Sequence, residues 1–479
     1  MVQSYDVVCI GSGFGSSFFL KEYLRHAPKT ARILVLERGP ALSHPQHIAR
    51  RDELNYESFQ HTFVNETPAK PWIFTLAHGG SSNCWGGNTP RMIPNDFRLR
   101  SRYGVGFDWP ISYDDLEPYY CEVEETFGVA GPDDAVYPRS KPYPCPPHQM
   151  SDPDRAMAAA YPGLFFSLPV AKPTRSRLPA RPQCCSSLRC NLCPIDSKFT
   201  ILNGMRTEYA DPRVELRANA TAERIEHAAG IAKGVHFTAE GTQLFAKAEL
   251  VVLGANGLFN PHLLLRSGLD GPWVGRGLCE QVSVLCTVEL DGMDGFQGST
   301  TQTALGYMLY DGPHRRERAA AMFESYNVPT LRNLRGRWRQ RYVIKFVLED
   351  LPQERNRVRL DADDSSRPVA EYHGHSEYTH RGLEAVRASL QELLKPLPVE
   401  SFAMKDEIEK TDYHIQCTTM MGRNPKDSVV DANCRHHRVR NLVVVGSSVF
   451  PSAAPANPTL TLSALALRSA RSLSGGQAI

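Results

Sequence analysis

The hydrophobic positions near the start of the chain change period twice within forty residues. Tyr5-Asp-Val-Val-Cys-Ile10 is a short β-branched, apolar run, the pattern of a strand buried on both faces of a parallel sheet. Ser17 to Arg25 places apolar residues at helical spacing, and Ile33-Leu-Val-Leu-Glu37 returns to the buried-strand pattern. Strand character recurs at Val282 to Leu290, Arg341 to Leu348 and Asn356 to Leu360, while Arg381 to Leu394 reads as a helix. A last apolar helix, Pro458 to Arg468, has proline at its first position. Arg335, Arg337, Arg339 and Arg341 alternate around Trp338, which predicts four cations on one strand face. Proline and small polar residues crowd 139–153 and 172–183, where irregular chain is expected.

The chain has 479 residues, 42% apolar and 22% charged, enough to bury two cores. A formal charge of +2 provides no global field to draw nucleic acid or an anionic membrane. No apolar stretch reaches the roughly 18 residues of a membrane span. The first residues lack the charged region of a signal peptide, so the expected location is cytoplasmic. Twelve cysteines in such a chain are expected to be reduced thiols or ligands, and four of them fall between Cys184 and Cys193.

Between the first strand and the first helix stands Gly11-Ser12-Gly13-Phe14-Gly15-Ser16. Gly11 permits the tight turn, and Gly13 lets the backbone approach a pyrophosphate placed on the dipole of the helix. Ser16 is the small residue where the usual fingerprint has its third glycine. Glu37 ends the second strand, where an acid can accept both ribose hydroxyls. A plain strand-to-helix turn with a solvated acid is the other reading, and this segment does not distinguish NAD from FAD.

Three further segments narrow the choice: Gly79-Gly-Ser-Ser-Asn-Cys-Trp-Gly-Gly87, Asp108-Trp-Pro-Ile-Ser-Tyr-Asp-Asp-Leu-Glu-Pro-Tyr119, and Asn441-Leu-Val-Val-Val-Gly-Ser-Ser-Val-Phe-Pro451 followed by Ala456-Asn-Pro-Thr-Leu-Thr461. Nearly end to end, the chain resembles the glucose-methanol-choline (GMC) oxidoreductases. The Gly-Gly-Ser-Ser and Trp-Gly-Gly elements resemble the branch containing gluconate, fructose and FAD-glucose dehydrogenases, with pyranose oxidase nearby. The resemblance implies an α/β Rossmann-like FAD-binding domain, residues 1–105, 200–275 and 410–479. Into it is inserted an α+β substrate domain on a mostly antiparallel sheet, residues 106–199 and 276–409. FAD would contact Gly11, Ser12, Gly13, Phe14, Gly15 and Glu37. Gly80 would also contact FAD, Ser81 to Trp85 (Ser81, Ser82, Asn83 and Trp85 among them) would line the isoalloxazine, and Ala222 would sit near the adenine. Ala255, Ser447 and Thr459 complete the expected contacts, with Val251 to Gly257 as the returning strand. Cys84 stands where some members tether the flavin through histidine, so FAD is expected to be non-covalent, with a thioether to Cys84 as the alternative.

Tyr413-His414-Ile-Gln-Cys-Thr418 resembles the family's histidine segment, and Asn457 lies 43 residues later. By that match the two form the active-site pair. Hydride leaves a carbinol carbon more readily when the hydroxyl proton goes to a base, and neutral imidazole suits that task. Asn457 would hydrogen-bond the substrate oxygen. Asn before Pro at a helix start is equally an N-cap, and a lone histidine is often a core residue. The family usually has Gly where Cys417 stands and a basic residue near Met420.

Cys184, Cys185 and Cys190 resemble the loop through which some FAD-glucose dehydrogenase subunits carry a [3Fe-4S] cluster, although Cys193 is one residue closer than that pattern has it. A reduced, packed cysteine loop is the alternative. The expected activity is FAD-dependent oxidation of an alcohol, sugar or polyol to a carbonyl, with dioxygen, a quinone or a redox protein as acceptor. A biosynthetic flavoenzyme acting at a C–N or C–C position or by elimination, and a non-catalytic electron-transfer subunit, are the rival readings.

Overall fold

From Val7 to Ile10 every side chain of the strand Gln3–Ile10 is buried, as a strand covered on both faces requires. The computed structural model describes residues 3–51, 56–176 and 181–474. The first strand pairs in parallel with Ile33–Leu36 on one side and Thr242–Leu253 on the other. Val214–Arg217 extends the sheet beyond Ile33–Leu36. The long strand Thr242–Leu253 divides its partners: its first half forms a hairpin with Ile231–Ala239, which Ala220–Ala228 continues, and its second half pairs in parallel with Leu442–Val444. Seven strands result.

Helix Phe14–His26 packs against the last helix, Thr459–Ser474, and helix Tyr113–Phe127 lies beside the latter. Arg471 ties the three together, reaching Glu22 at 2.6 Å and Glu122 at 2.8 Å.

The second sheet is antiparallel throughout, in the order Val399–Met404, Val282–Leu290, Arg341–Leu348, Ala321–Tyr326, Gln302–Leu309, Phe165–Ser167. Helix Glu377–Leu393 buries Val386, Leu390 and Leu393 against it. Arg315, fully buried, bridges Asp96 at 2.9 Å and Glu349 at 2.7 Å. The fold is thus a Rossmann-like α/β unit carrying an α+β unit on an antiparallel sheet.

The arginine series does not share a strand face. Only Arg341 enters a strand; Gly336, at φ +77°, turns the chain ahead of it, and Arg337 and Arg339 pair with Asp291 and Asp294. Among the described residues no helix is long and apolar enough to cross a membrane.

Candidate active site

Two glycine turns meet above the first strand. Gly11 adopts φ +90°, and a Cβ there would run into the Gly254 carbonyl, so the turn admits no side chain. Gly13 has ordinary extended backbone, and a Cβ would meet nothing within 4 Å. A Cβ on Gly80 would lie 3.4 Å from the Gly13 Cα, so the second turn rests on the first. Glu37 joins them: its Oε2 accepts from the Ser12 hydroxyl at 2.6 Å and its Oε1 from the Gly39 amide at 2.8 Å. The same hydroxyl accepts from the Gly79 amide at 3.0 Å. Burial raises the Glu37 carboxyl above its ordinary range, opposed by these hydrogen bonds.

A cleft of about 1400 Å³, open to solvent, runs past these turns. Gly11, Ser12, Gly13, Phe14, Gly15 and Glu37 line it, joined by Gly80, Ser81, Ala222, Ala255, Ser447 and Thr459 from distant segments. Ser82, Asn83 and Trp85 do not. Ser82 Oγ accepts from the Ile201 amide at 3.1 Å, Asn83 donates to the His78 carbonyl at 2.9 Å, and the Trp85 indole donates to the Phe199 carbonyl at 2.7 Å. Ser82 and Asn83 brace the loop from behind, whereas Trp85, its ring 4.8 Å from that of Phe14, lies on the wall of the adjoining space. Arg38, His262 and Arg266 also line the cleft and were not anticipated, because single basic residues carry no pattern. The open space at Gly13, the acid at the end of the second strand and the length of the wall fit the dinucleotide that the family implies, FAD.

A second cavity, about 1320 Å³, adjoins the cleft and shares Thr75, Ser81, His414 and Thr459 with it. Asn457 lines this second space. Its Oδ1 has no hydrogen-bond partner, so the side-chain oxygen does not cap the helix that follows.

His414 stands at the junction. Its Nδ1 lies 2.9 Å from Gln281 Oε1. The Gln281 amide nitrogen donates to the Ala454 and Ala456 carbonyls at 2.7 and 3.0 Å, which turns its oxygen toward the imidazole. An oxygen only accepts, so Nδ1 carries the proton and Nε2 keeps its lone pair. Burial pushes the His414 pKa down to about 4, with Asp412 opposing. Asp412 is itself paired with Lys345 and accepts from the Ser283 hydroxyl at 2.9 Å. Cys417, where the family usually has Gly, is buried in the left-handed region at φ +74°.

The cysteine loop brings Cys184, Cys185, Cys190 and Cys193 to the wall of one small pocket. Cys185 is exposed, Cys184 and Cys190 are half-buried, and Cys193 is buried with its sulfur accepting from the Ser197 amide at 3.3 Å. Positive φ at Ser186 and Leu188 turns the chain between these thiols, and among the described residues no three His, Cys, Asp or Glu side chains are placed to hold a metal ion. The [3Fe-4S] expectation at Cys184, Cys185 and Cys190 is therefore not supported. Cys84 Sγ lies 3.4 Å from Thr75 Oγ1, on the wall of the second cavity.

Residues 169–283 and 352–466 match the N- and C-terminal family models of the GMC oxidoreductases. The chain is 27% identical to the fructose dehydrogenase large subunit of Gluconobacter japonicus, over 98% of this chain and 97% of that protein. It is 26% identical to 2-methyl-1,2-propanediol dehydrogenase of Mycolicibacterium austroafricanum, over 97% and 94%. Among solved structures, pyridoxine 4-oxidase from Mesorbium loti superposes with a TM-score of 0.66 at 17% identity, covering 99% of this chain and all of that one.

Proposed function

Because this chain belongs to the GMC oxidoreductase family, we propose that it oxidises a carbinol of a small polar molecule to the carbonyl, with residues 1–105, 200–275 and 410–479 forming the FAD domain and residues 106–199 and 276–409 the substrate domain. The observation that carries this reading is the free Nε2 of His414, set by Gln281 and placed where the two cavities join. FAD bound non-covalently in the glycine-lined cleft would supply the hydride acceptor.

His414 Nε2 takes the hydroxyl proton as the carbon gives up hydride. Asn457 hydrogen-bonds the substrate oxygen and sets the carbon toward the cleft. Pro458 and Thr459 bring the start of the last helix to the cleft wall, where its dipole favours developing negative charge. Likeness to dehydrogenases of a sugar and of a diol supports the reaction class.

Anaerobic titration of the FAD-loaded protein with a panel of alcohols, sugars and polyols tests the proposal. Bleaching of the flavin band by carbinol compounds, with carbonyl product, is the expected result. A flavin left oxidised by the whole panel overturns the reading. Acid precipitation should leave the flavin in the supernatant; flavin retained on the chain would point to Cys84.

A further inference from the structure

Four buried oxygens on the wall of the second cavity lack a hydrogen-bond donor: Glu324 Oε1, Asn88 Oδ1, Asn457 Oδ1 and Asp412 Oδ2, the last on a carboxylate already paired with Lys345. The first three come from separate segments, the strand Ala321–Tyr326, the chain just after Gly87 and the stretch just before the last helix. Glu324 is only 1% exposed. The Asn88 and Asn457 side chains lie close enough to its carboxyl to oppose the effect of burial on it, while their Oδ1 atoms find no donor. Unpaired buried acceptors of this kind are costly until something donates to them.

The charges around Glu324 narrow what that donor is. Lys345 lies opposite it in register on the neighbouring strand and is committed to Asp412, while Tyr326 follows two positions along the same strand. Burial pushes the Glu324 carboxyl up to about 7 against the pull of Lys345. With Lys345 and Asp412 neutralising one another, what the pocket asks of a ligand is hydrogen-bond donors, which the hydroxyls of a polyol supply in number. A monohydric alcohol has one O–H, and that proton goes to His414. The remaining acceptors call for more.

We propose that Glu324 is a specificity-determining residue that accepts a hydrogen bond from a second hydroxyl close to the oxidised carbinol, so that the substrate is polyhydroxylated. It shares the cavity wall with Asn457, which holds the reacting oxygen, so the two hydroxyls lie near one another. The inference rests on the carbinol-oxidation reading of the same pocket.

The test uses FAD-loaded wild type, Glu324→Leu and Glu324→Gln, with carbon-matched pairs: D-sorbitol against 1-hexanol, and myo-inositol against cyclohexanol. Anaerobic flavin reduction gives kcat and KM for each. The wild type should favour the polyols, and Glu324→Leu should lower the polyol-to-monool ratio of kcat/KM by about tenfold or more, mainly through KM, as loss of a charge-assisted hydrogen bond does. Glu324→Gln keeps an acceptor oxygen and should retain part of the preference. Equal FAD content in the three proteins establishes that they fold alike. Monools reduced as readily as polyols by the wild type, or an unchanged ratio in Glu324→Leu, overturns the role of Glu324. A wild type that the broader carbinol panel leaves oxidised overturns the underlying reading instead.

Discussion

Gln281 Oε1 meets His414 Nδ1 at 2.9 Å while the amide nitrogen of Gln281 is held by two backbone carbonyls. The pairing fixes which imidazole nitrogen is basic. Gln281→Leu should therefore slow flavin reduction by about tenfold or more, because the tautomer is no longer selected. Gln281→Glu places a carboxylate beside Nδ1 and favours the imidazolium, so the acid limb of the rate profile should move to higher pH. Stopped-flow reduction across a pH series checks both.

His414 has its pKa pushed down to about 4 by burial. Above that value the ring is neutral and able to accept a proton; below it the lone pair is occupied. The flavin-reduction rate at saturating substrate should then show no loss from this group through the neutral range and should fall as pH drops toward 4. His414→Ala should lose about 100-fold to 10,000-fold in that rate while keeping its FAD, measured by single-turnover reduction.

Gly11 and Gly13 separate folding from cofactor binding. Gly11→Ala strains a left-handed turn and strikes the Gly254 carbonyl, so the variant should be recovered poorly or unfolded. Gly13→Ala has room for its methyl in the cofactor-free chain. It should fold with a near-normal far-ultraviolet circular dichroism spectrum yet bind FAD more weakly, because the methyl occupies cleft space. FAD titration of the apoprotein measures the difference.

Arg315 holds Asp96 and Glu349 in the interior, and burial raises the Asp96 carboxyl to about 6 even with the guanidinium beside it. Arg315→Met leaves two buried acids without their cation and should destabilise the fold by about 3–5 kcal/mol. Denaturant unfolding followed by tryptophan fluorescence should show this, with partial recovery on adding Asp96→Asn.

The first forty residues are legible because each element there is a local pattern: buried-strand runs, helical spacing and glycines at the turn between them. Glu37 follows from its place at a strand end. The second sheet is less legible. Ala321–Tyr326 was not anticipated because Glu324 and Ser325 interrupt its apolar run; both are buried only because Lys345 faces one and Asp154 accepts from the other at 2.5 Å. Gln281 carries no local signal, since its partner His414 lies 133 residues away. His414 and Asn457 were found by resemblance to a family, and the spacing between them alone would not have singled them out. Ser82 and Asn83 were expected at the flavin because their loop is; which side of a loop faces the cleft depends on Ile201 and His78 behind it.

The order in which a ribosome delivers the chain sets a limit on when the cleft can exist. Gln3–Ile10 and helix Phe14–His26 are made long before Leu442–Val444 and helix Thr459–Ser474, which complete their sheet and cover that helix. Until then the face of helix Phe14–His26 that the last helix covers waits through the synthesis of more than four hundred residues. The cleft can take up FAD only once Leu442–Val444 and helix Thr459–Ser474 have been made.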